Sequence, residues 1–237
     1  MTLQAQFAVA VRREPVPARD PLSLAAEETV AVAPLAGEPG DLWRDLLDGR
    51  LVYYCEGAGP LGRYVVCRVV DGIWGGPLNR RETAVLTRVL CGQQQKAVAL
   101  DLGIACSTAS KWFTQAVEKL HLERAPLPLP LVVAAQCWAS GETHDLTART
   151  ANLFHEETQF VVFSVPTPRL DGETLLTRAE REVAVALIEG RSRDAIARRR
   201  STSSQTVACQ LRGIFAKLDV KGRCDLIKRG LEDGWFR

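Results

Sequence analysis

The sequence predicts a mainly α-helical fold with small β elements, in which one helical module occurs twice and each copy follows short strands or a hairpin. The first observation is an internal repeat: residues 78–122 align with residues 176–220 without a gap after a shift of 98 positions, and ten positions are identical. The second is a change of period, since helical spacing within both copies gives way to β-branched and alternating runs in front of them. The third is a separation of charge along the chain.

Composition and charge indicate a soluble chain with one basic end. The 237 residues are 46% hydrophobic and 24% charged, which suits one large or two small domains. The net charge of +2 conceals residues 176–230, where thirteen basic and six acidic side chains give +7. Such a region is typical of a polyanion partner, and a merely solvated face is the alternative.

The cysteine and hydropathy patterns indicate the cellular compartment. Seven cysteines form no CxxC pair, the three histidines are isolated, and no run of 18 apolar residues occurs. These patterns predict a cytoplasmic protein that has no metal site, no cofactor and no membrane segment.

Ahead of the first copy, the sequence predicts a partly mobile segment and a small helix–hairpin unit. Residues 1–41 are rich in alanine, proline, glutamate and valine, with a candidate strand at 4–11. Residues 42–77 are expected to hold a short helix, starting at Asp41, and then a hairpin with strands at 51–55 and 63–70.

The first helical copy is assigned to residues 78–125. Asn79 and Glu82 are spaced as a capping box at its start. Pro126 and Pro128 follow where a fourth helix would lie, and because proline cannot continue a helix, none is predicted there.

The connector between the copies, residues 126–175, is predicted to be β-rich. Strand-like runs occur at 129–133, 151–154 and 160–165. Because strand runs precede both helical copies, the repeating unit is expected to be a β element followed by helices.

The second copy, residues 176–237, carries the clearest helix signals. Thr177 and Glu180 are spaced as a capping box, and Gly190 lies where a helix end needs a positive φ. Ser192 and Ser203 are suited to cap the next two helices.

The third helix of this copy has two different faces. Its buried face is predicted from the apolar residues Val207, Leu211, Ile214, Phe215 and Leu218. Its outward residues are Ser204, Gln205, Ala208, Cys209 and Arg212. An apolar rear and short polar or basic side chains in front are what a recognition helix needs to reach base edges.

The motif LTRAEREVxxxLxEGxSxxxIA, with the later pairs TV, IF and KL, resembles the LuxR/GerE-type helix-turn-helix over residues 176–231. The resemblance implies that Ala208, Cys209 and Arg212 face bases. The family's usual leucine and glycine in the turn are replaced here by Arg200 and Ser201. Residues Arg223–Leu231 resemble the dimerisation helix of that family.

Phosphate contacts in the second copy are expected from eight residues: Arg193, Arg198, Arg199, Arg200, Ser203, Gln205, Thr206 and Lys217. Residues 78–122 resemble the same family more weakly, with the corresponding outward residues Thr108, Ser110, Lys111 and Thr114. The alternative for this copy is a degenerate module that packs against the second or mediates dimerisation, with Trp112 as a packing residue.

The sequence therefore predicts a sequence-specific transcriptional regulator that binds double-stranded DNA through the third helix of the second copy, in the major groove. The protein would be cytoplasmic and associated with the bacterial nucleoid when bound. A homodimer through Arg223–Leu231 competes with intrachain pairing of the two modules, and RNA polymerase is a further candidate partner. The alternative is a non-enzymatic adaptor that binds RNA polymerase or another regulator through these modules. An enzyme is not expected, because no P-loop, nucleophile elbow or pair of catalytic acids is present.

Overall fold

A computed structural model describes residues 38–59, 62–70, 77–122, 126–142, 146–155, 157–170 and 175–237. The predicted strand at 4–11 lies outside the described residues, as does almost all of the N-terminal segment 1–41.

The first half of the chain consists of a helix, a β-hairpin and three more helices. In order these are α1 (Pro39–Leu47), β1 (Leu51–Gly59), β2 (Gly62–Val69), α2 (Arg80–Leu90), α3 (Gln95–Asp101) and α4 (Cys106–Lys119). The predicted short helix and the predicted hairpin are confirmed, and the strands extend further toward the turn than predicted.

The second half has the same order of elements and ends with one additional helix. Its elements are α5 (Leu129–Ser140), β3 (Arg149–His155), β4 (Thr158–Val165), α6 (Arg178–Ile188), α7 (Arg193–Arg199), α8 (Ser204–Leu218) and α9 (Arg223–Glu232). The predicted strands at 151–154 and 160–165 are confirmed. A shift of 98 residues superimposes the bounds of α2 on α6 and of α3 on α7, and the starts of β1 and α4 on those of β3 and α8.

Two predictions for the start of the connector are wrong. Residues 129–133 do not form a strand but begin helix α5, and a helix therefore does follow the prolines. Proline fits at the N-terminus of α5 because the first helical N–H groups have no partner within the helix, so Pro128 precedes it and Pro130 lies in its first turn. Every side chain from 129 to 137 is buried, so the apolar run has no exposed face whose period could identify it.

The four strands form one antiparallel sheet in the order β1-β2-β4-β3, so the central pair β2–β4 joins the two halves. Val65 pairs with Phe163, which is its own counterpart after the shift of 98 residues. The flanking pairs Tyr64–Ser164 and Val66–Val162 are exchanged by the same shift. This is the self-complementary register of a two-fold interface, found here within a single chain.

Helix α5 lies at the centre of a core that both halves share. It packs against one face of the sheet and against α1, α2 and α9. Buried Gln136 donates two hydrogen bonds from Nε2, to the carbonyl oxygen of Leu90 at 2.7 Å and to that of Cys224 at 2.8 Å. One amide thus connects the end of α2 with the first turn of α9, and α5 serves both halves.

Helix α9 turns its apolar residues inward. Leu226, Ile227 and Leu231 are buried, and the helix packs on α5 and α6. At its start the guanidinium of Arg223 donates to the carbonyl oxygens of Ile188 at 2.9 Å and Leu127 at 2.7 Å. Burial lowers the pKa of this guanidinium.

Candidate nucleic-acid interface

The three helices α6, α7 and α8 each begin with a side-chain cap. The Thr177 hydroxyl accepts a hydrogen bond from the Glu180 backbone N–H at 3.3 Å, and the Glu180 carboxylate accepts one from the Thr177 N–H at 2.8 Å. Ser192 caps α7, and Ser203 caps α8 by accepting from the Thr206 N–H at 2.9 Å. The four capping residues predicted from the sequence are therefore confirmed, and together they fix where each helix starts.

The turn between α7 and α8 uses two uncommon residues for its conformation. Ser201 has a φ of +50°, in the left-handed region that usually favours glycine. Arg200 takes the position at which a leucine was expected, with a side chain that is only 20% exposed. Its Nη1 donates to Glu182 Oε2 of α6 at 2.5 Å, so an ion pair replaces an apolar contact in this turn.

Helix α8 separates an apolar rear from a polar front, as its sequence predicts. Val207 and Ile214 are fully buried, and three half-buried side chains extend the same face: Leu211, Phe215 and Leu218. The opposite face near its N-terminus carries exposed Cys209 and Arg212, whose Sγ and Nη2 atoms lie 3.2 Å apart.

The remaining predicted contact residues divide into exposed and paired groups. The exposed side chains are Arg193 at the start of α7, Arg198 in its last turn, and Ser203, Gln205 and Thr206 at the start of α8, while Ala208 is half-buried. Lys217 is instead held by Glu180 of α6, with Nζ 2.7 Å from Oε2. Arg199 lines a groove beside α6 with Arg200, away from the front of α8. All of the proposed DNA contacts stay predictions.

Two polar links in this region were not predicted. Asp194 accepts a hydrogen bond from the Ser204 hydroxyl and so connects the starts of α7 and α8. The pair Glu180–Lys217 recurs as Glu82–Lys119, where Nζ lies 2.8 Å from each carboxylate oxygen. Both members of this pair are identical in the two copies, and that shared spacing was the sequence signal that could have revealed it.

These two ion pairs lower the pKa of their carboxyl groups. For Glu82, burial raises the pKa, but the hydrogen bonds from Lys119 and from the Asn79 backbone outweigh it and the pKa falls below its usual value. For Glu180, the hydrogen bond from Lys217 is the main cause of a lowered pKa, and the capping bond from the Thr177 backbone adds to it. Each carboxylate therefore stays ionised and braces the first helix of its three-helix set against the third.

The helices α2, α3 and α4 reproduce the local structure of α6, α7 and α8. Asn79 and Glu82 form the predicted capping box, and Gly103 occupies the place of Ser201 with a φ of +63°. On the front of α4, Ser110 and Lys111 are exposed, and Thr108 and Thr114 are half-buried.

Trp112, also on α4, is half-buried rather than fully presented to solvent. The guanidinium of Arg81 lies 5.5 Å from the centre of its ring. This cation–π contact links α2 to α4 and supports a packing role for the indole.

Within the described residues, no helix is long and apolar enough to cross a membrane. No group of three or more histidine, cysteine, aspartate or glutamate side chains in that part of the chain is arranged to hold a metal ion.

Residues 174–229 match the family model described as bacterial regulatory proteins, luxR family. The match includes all of α6, α7 and α8 and most of α9, while residues 78–122 lie outside it. No curated protein and no solved structure matches the chain.

Proposed function

Residues 174–229 are a LuxR-type helix-turn-helix domain, and from this premise we propose that the protein is a sequence-specific, DNA-binding transcriptional regulator. The observation that carries the proposal is the division of α8 into a buried rear and a front with exposed Cys209 and Arg212. A helix with these faces inserts its N-terminal half into the major groove. Arg212 would read a base, with guanine as the best partner for a bidentate guanidinium, at about 1–3 kcal/mol of discrimination.

Charge around the front of α8 supports contact with phosphates. Arg193 and Arg198 are exposed on α7, and the hydroxyl groups of Ser203 and Thr206 lie at the N-terminus of α8. Basic side chains and helix N-termini are the groups that hold the DNA backbone and set the register of a recognition helix.

We also propose that α4 presents a second reading surface in the same chain. The equal helix bounds and the self-complementary β2–β4 register support a two-fold arrangement of the two three-helix sets. Because the apolar residues of α9 are already buried against α5 and α6, intrachain pairing is favoured over a homodimer through Arg223–Leu231. Two readers related in this way would contact half-sites about one DNA turn apart, roughly 34 Å.

One observation favours the alternative adaptor function for the first three-helix set. Leu100 on α3 is 81% exposed, at the position where α7 has Arg198. An exposed leucine in place of an arginine suits contact with a protein, such as RNA polymerase, better than contact with a phosphate. The salt dependence of the binding affinity distinguishes the two functions. DNA binding through several phosphates weakens steeply as the salt concentration rises, whereas an apolar protein contact does not.

The test is selection and sequencing of a randomised duplex pool with the intact chain and with Arg212→Ala and Lys111→Ala. Lys228→Ala, on the exposed side of α9, is the matched control for the loss of one positive charge. We expect a motif that Arg212→Ala abolishes, that Lys111→Ala shortens to one half-site and that the control leaves unchanged.

The other outcomes are equally specific. A motif that Lys111→Ala leaves intact would make the first three-helix set a scaffold rather than a reader. No enriched motif, together with weak binding at low salt, would reject the regulator and favour the adaptor.

A further inference from the structure

A groove of about 700 Å³ lies between α6, α7 and residues 167–170. Its walls are formed largely by arginine side chains: Arg169, Arg178, Arg181, Arg191, Arg199 and Arg200. Four of these arginines, Arg169, Arg178, Arg181 and Arg191, are not among the predicted DNA contacts. The luxR family match does not by itself assign a ligand to them.

The groove has a large excess of positive charge. Among the residues that the structure describes, its lining carboxylates are Glu182 and Glu189, against six guanidinium groups. Glu182 lies 2.5 Å from Arg200 and 3.5 Å from Arg178, and Glu189 lies 3.3 Å from Arg191. Among the described residues, no carboxylate lies within ion-pair distance of Arg169 or Arg199, so guanidinium groups remain for an anionic ligand.

The groove is separated from the front of α8 by the body of α6. On α6 the lining residues follow helical spacing at 178, 181, 182, 185, 186 and 189. The opposite stripe faces α8, because it contains buried Val183 and Ala184 as well as Glu180, which pairs with Lys217. A ligand in this groove would therefore not occupy the surface proposed to enter the major groove.

Helix α7 divides its arginines in the same way. Arg199 and Arg200 line the groove with Ile196. Asp194 bonds to Ser204 of α8, and Arg198 lies one turn further along on that same side. The three consecutive arginines therefore lie on two surfaces: Arg198 lies on the side of α7 that faces α8, and Arg199 and Arg200 lie in the groove beside α6.

Part of the groove lining is apolar. Pro168, Val185, Ala186 and Ile196 lie between the arginine side chains. A ligand that contacts both the arginine side chains and the apolar residues would carry several phosphate groups and a flat, weakly polar ring. Guanidinium groups bind phosphate oxygens in bidentate fashion and stack on aromatic rings, and the volume falls in the range of small-ligand sites.

We propose that this groove binds a nucleoside polyphosphate. The phosphates contact Arg169, Arg178 and Arg199, and the base lies on the apolar part of the lining. The ligand has two chemical features, adjacent phosphates and a ring. Inorganic tripolyphosphate has only the phosphates and therefore serves as the comparison ligand.

The first half of the chain provides an internal comparison. The corresponding groove, of about 910 Å³, has Thr83 where the second has Arg181, and Ala84 where it has Glu182. Among the described residues, Leu78 and Trp138 line it together with three arginines. We expect this groove to bind polyphosphates weakly, so Arg80→Gln, at the position matching Arg178, is a suitable control.

The test is isothermal titration calorimetry of the full chain with ATP, GTP and tripolyphosphate in buffer without Mg²⁺. We expect saturable binding of at least one nucleotide at one site, with a Kd about tenfold lower than that of tripolyphosphate. Arg169→Gln and Arg178→Gln should each raise the nucleotide Kd by about fivefold to tenfold, since each removes a charge-assisted contact. Arg80→Gln should leave it unchanged.

Three results of the titration would overturn the proposal. They are no binding, binding that neither groove variant changes, and equal binding of tripolyphosphate and nucleotide. Thermal unfolding of each variant identifies loss of the fold, and if one of the two groove variants fails to fold, the other carries the test.

Repeating the selection from the randomised duplex pool with Arg169→Gln and Arg178→Gln tests whether nucleotide binding and DNA binding use different surfaces. Neither Arg169 nor Arg178 is a proposed DNA contact, so the motif should persist when nucleotide binding is lost. Nucleotide binding that a short duplex of the selected motif displaces completely would place the ligand on the front of α8 and contradict the groove.

Discussion

Ser201 and Gly103 occupy the same place in the turn of their respective three-helix sets, with φ values of +50° and +63°. A left-handed backbone costs a residue with a Cβ about 1 kcal/mol, and glycine avoids this cost. No atom lies within 4 Å of where a Cβ on Gly103 would be. The two turns therefore share one backbone conformation at this position, and the serine bears a conformational cost that the glycine does not.

This difference predicts opposite effects of two substitutions. Ser201→Gly should raise the free energy of unfolding by about 0.5–1 kcal/mol, and Gly103→Ser should lower it by about 1 kcal/mol. Urea unfolding followed by circular dichroism measures both. A stability loss in Ser201→Gly would mean that the serine side chain contributes more than its backbone conformation costs.

Single residues also show how far sequence alone could reach. The caps at Thr177, Ser192 and Ser203 were predictable because each bonds to a backbone N–H three residues away. The phosphate contact of Lys217 stays a prediction, and its ion pair with Glu180, 37 residues earlier, was not predicted. Such a pair depends on how two helices pack, which local spacing does not determine.

At the scale of elements, Glu82–Lys119 and Glu180–Lys217 connect the first helix of each three-helix set to its third. Both carboxyl pKa values are lower in the folded protein than in the unfolded chain. Their stabilising effect is therefore complete above the unfolded value, about 4.3, and is lost as the pH falls through the lower folded value.

We expect Glu82→Gln to lower the free energy of unfolding by about 1–2 kcal/mol at pH 7. The gap from the unmodified protein should narrow as the pH falls below about 4, because protonation of Glu82 then removes from the unmodified protein the interaction that the variant already lacks. Glu180→Gln should have the smaller effect, since the Glu180 side chain is 14% exposed and that of Glu82 only 3%. Urea unfolding between pH 3 and 7 tests this, and a gap that stays constant with pH would contradict it.

Helix α5 is the element that sequence analysis assigned wrongly. A half-buried helix reveals itself by an apolar stripe, but all side chains from 129 to 137 are buried and no stripe exists. Its position at the shared centre of the core follows from contacts made by both halves. The helices of the two three-helix sets have a solvent-facing side and keep their period, so they were predicted correctly. The central strands β2 and β4 have consecutive buried residues at 64–67 and 160–165, and they are recognisable instead by their β-branched and aromatic residues.

For the whole molecule, the internal two-fold arrangement predicts a monomer. The β2–β4 pairing and the packing of α9 on α5 use, within one chain, surfaces that a dimer would otherwise share. Sedimentation equilibrium at micromolar concentration should give a mass of 26.0 kDa. A mass of twice that value, lost on Lys228→Glu on the exposed side of α9, would instead support a homodimer through α9.

The β2–β4 ladder also changes how the protein responds to its own abundance. When a two-fold assembly forms from separate chains, dilution below the dissociation constant makes the concentration of the assembly fall with the square of the chain concentration. Here both halves are made together in one translation event, and dilution does not separate them. Occupancy of a target by such a molecule rises with the first power of its copy number, so its output follows gene expression in proportion rather than through a threshold.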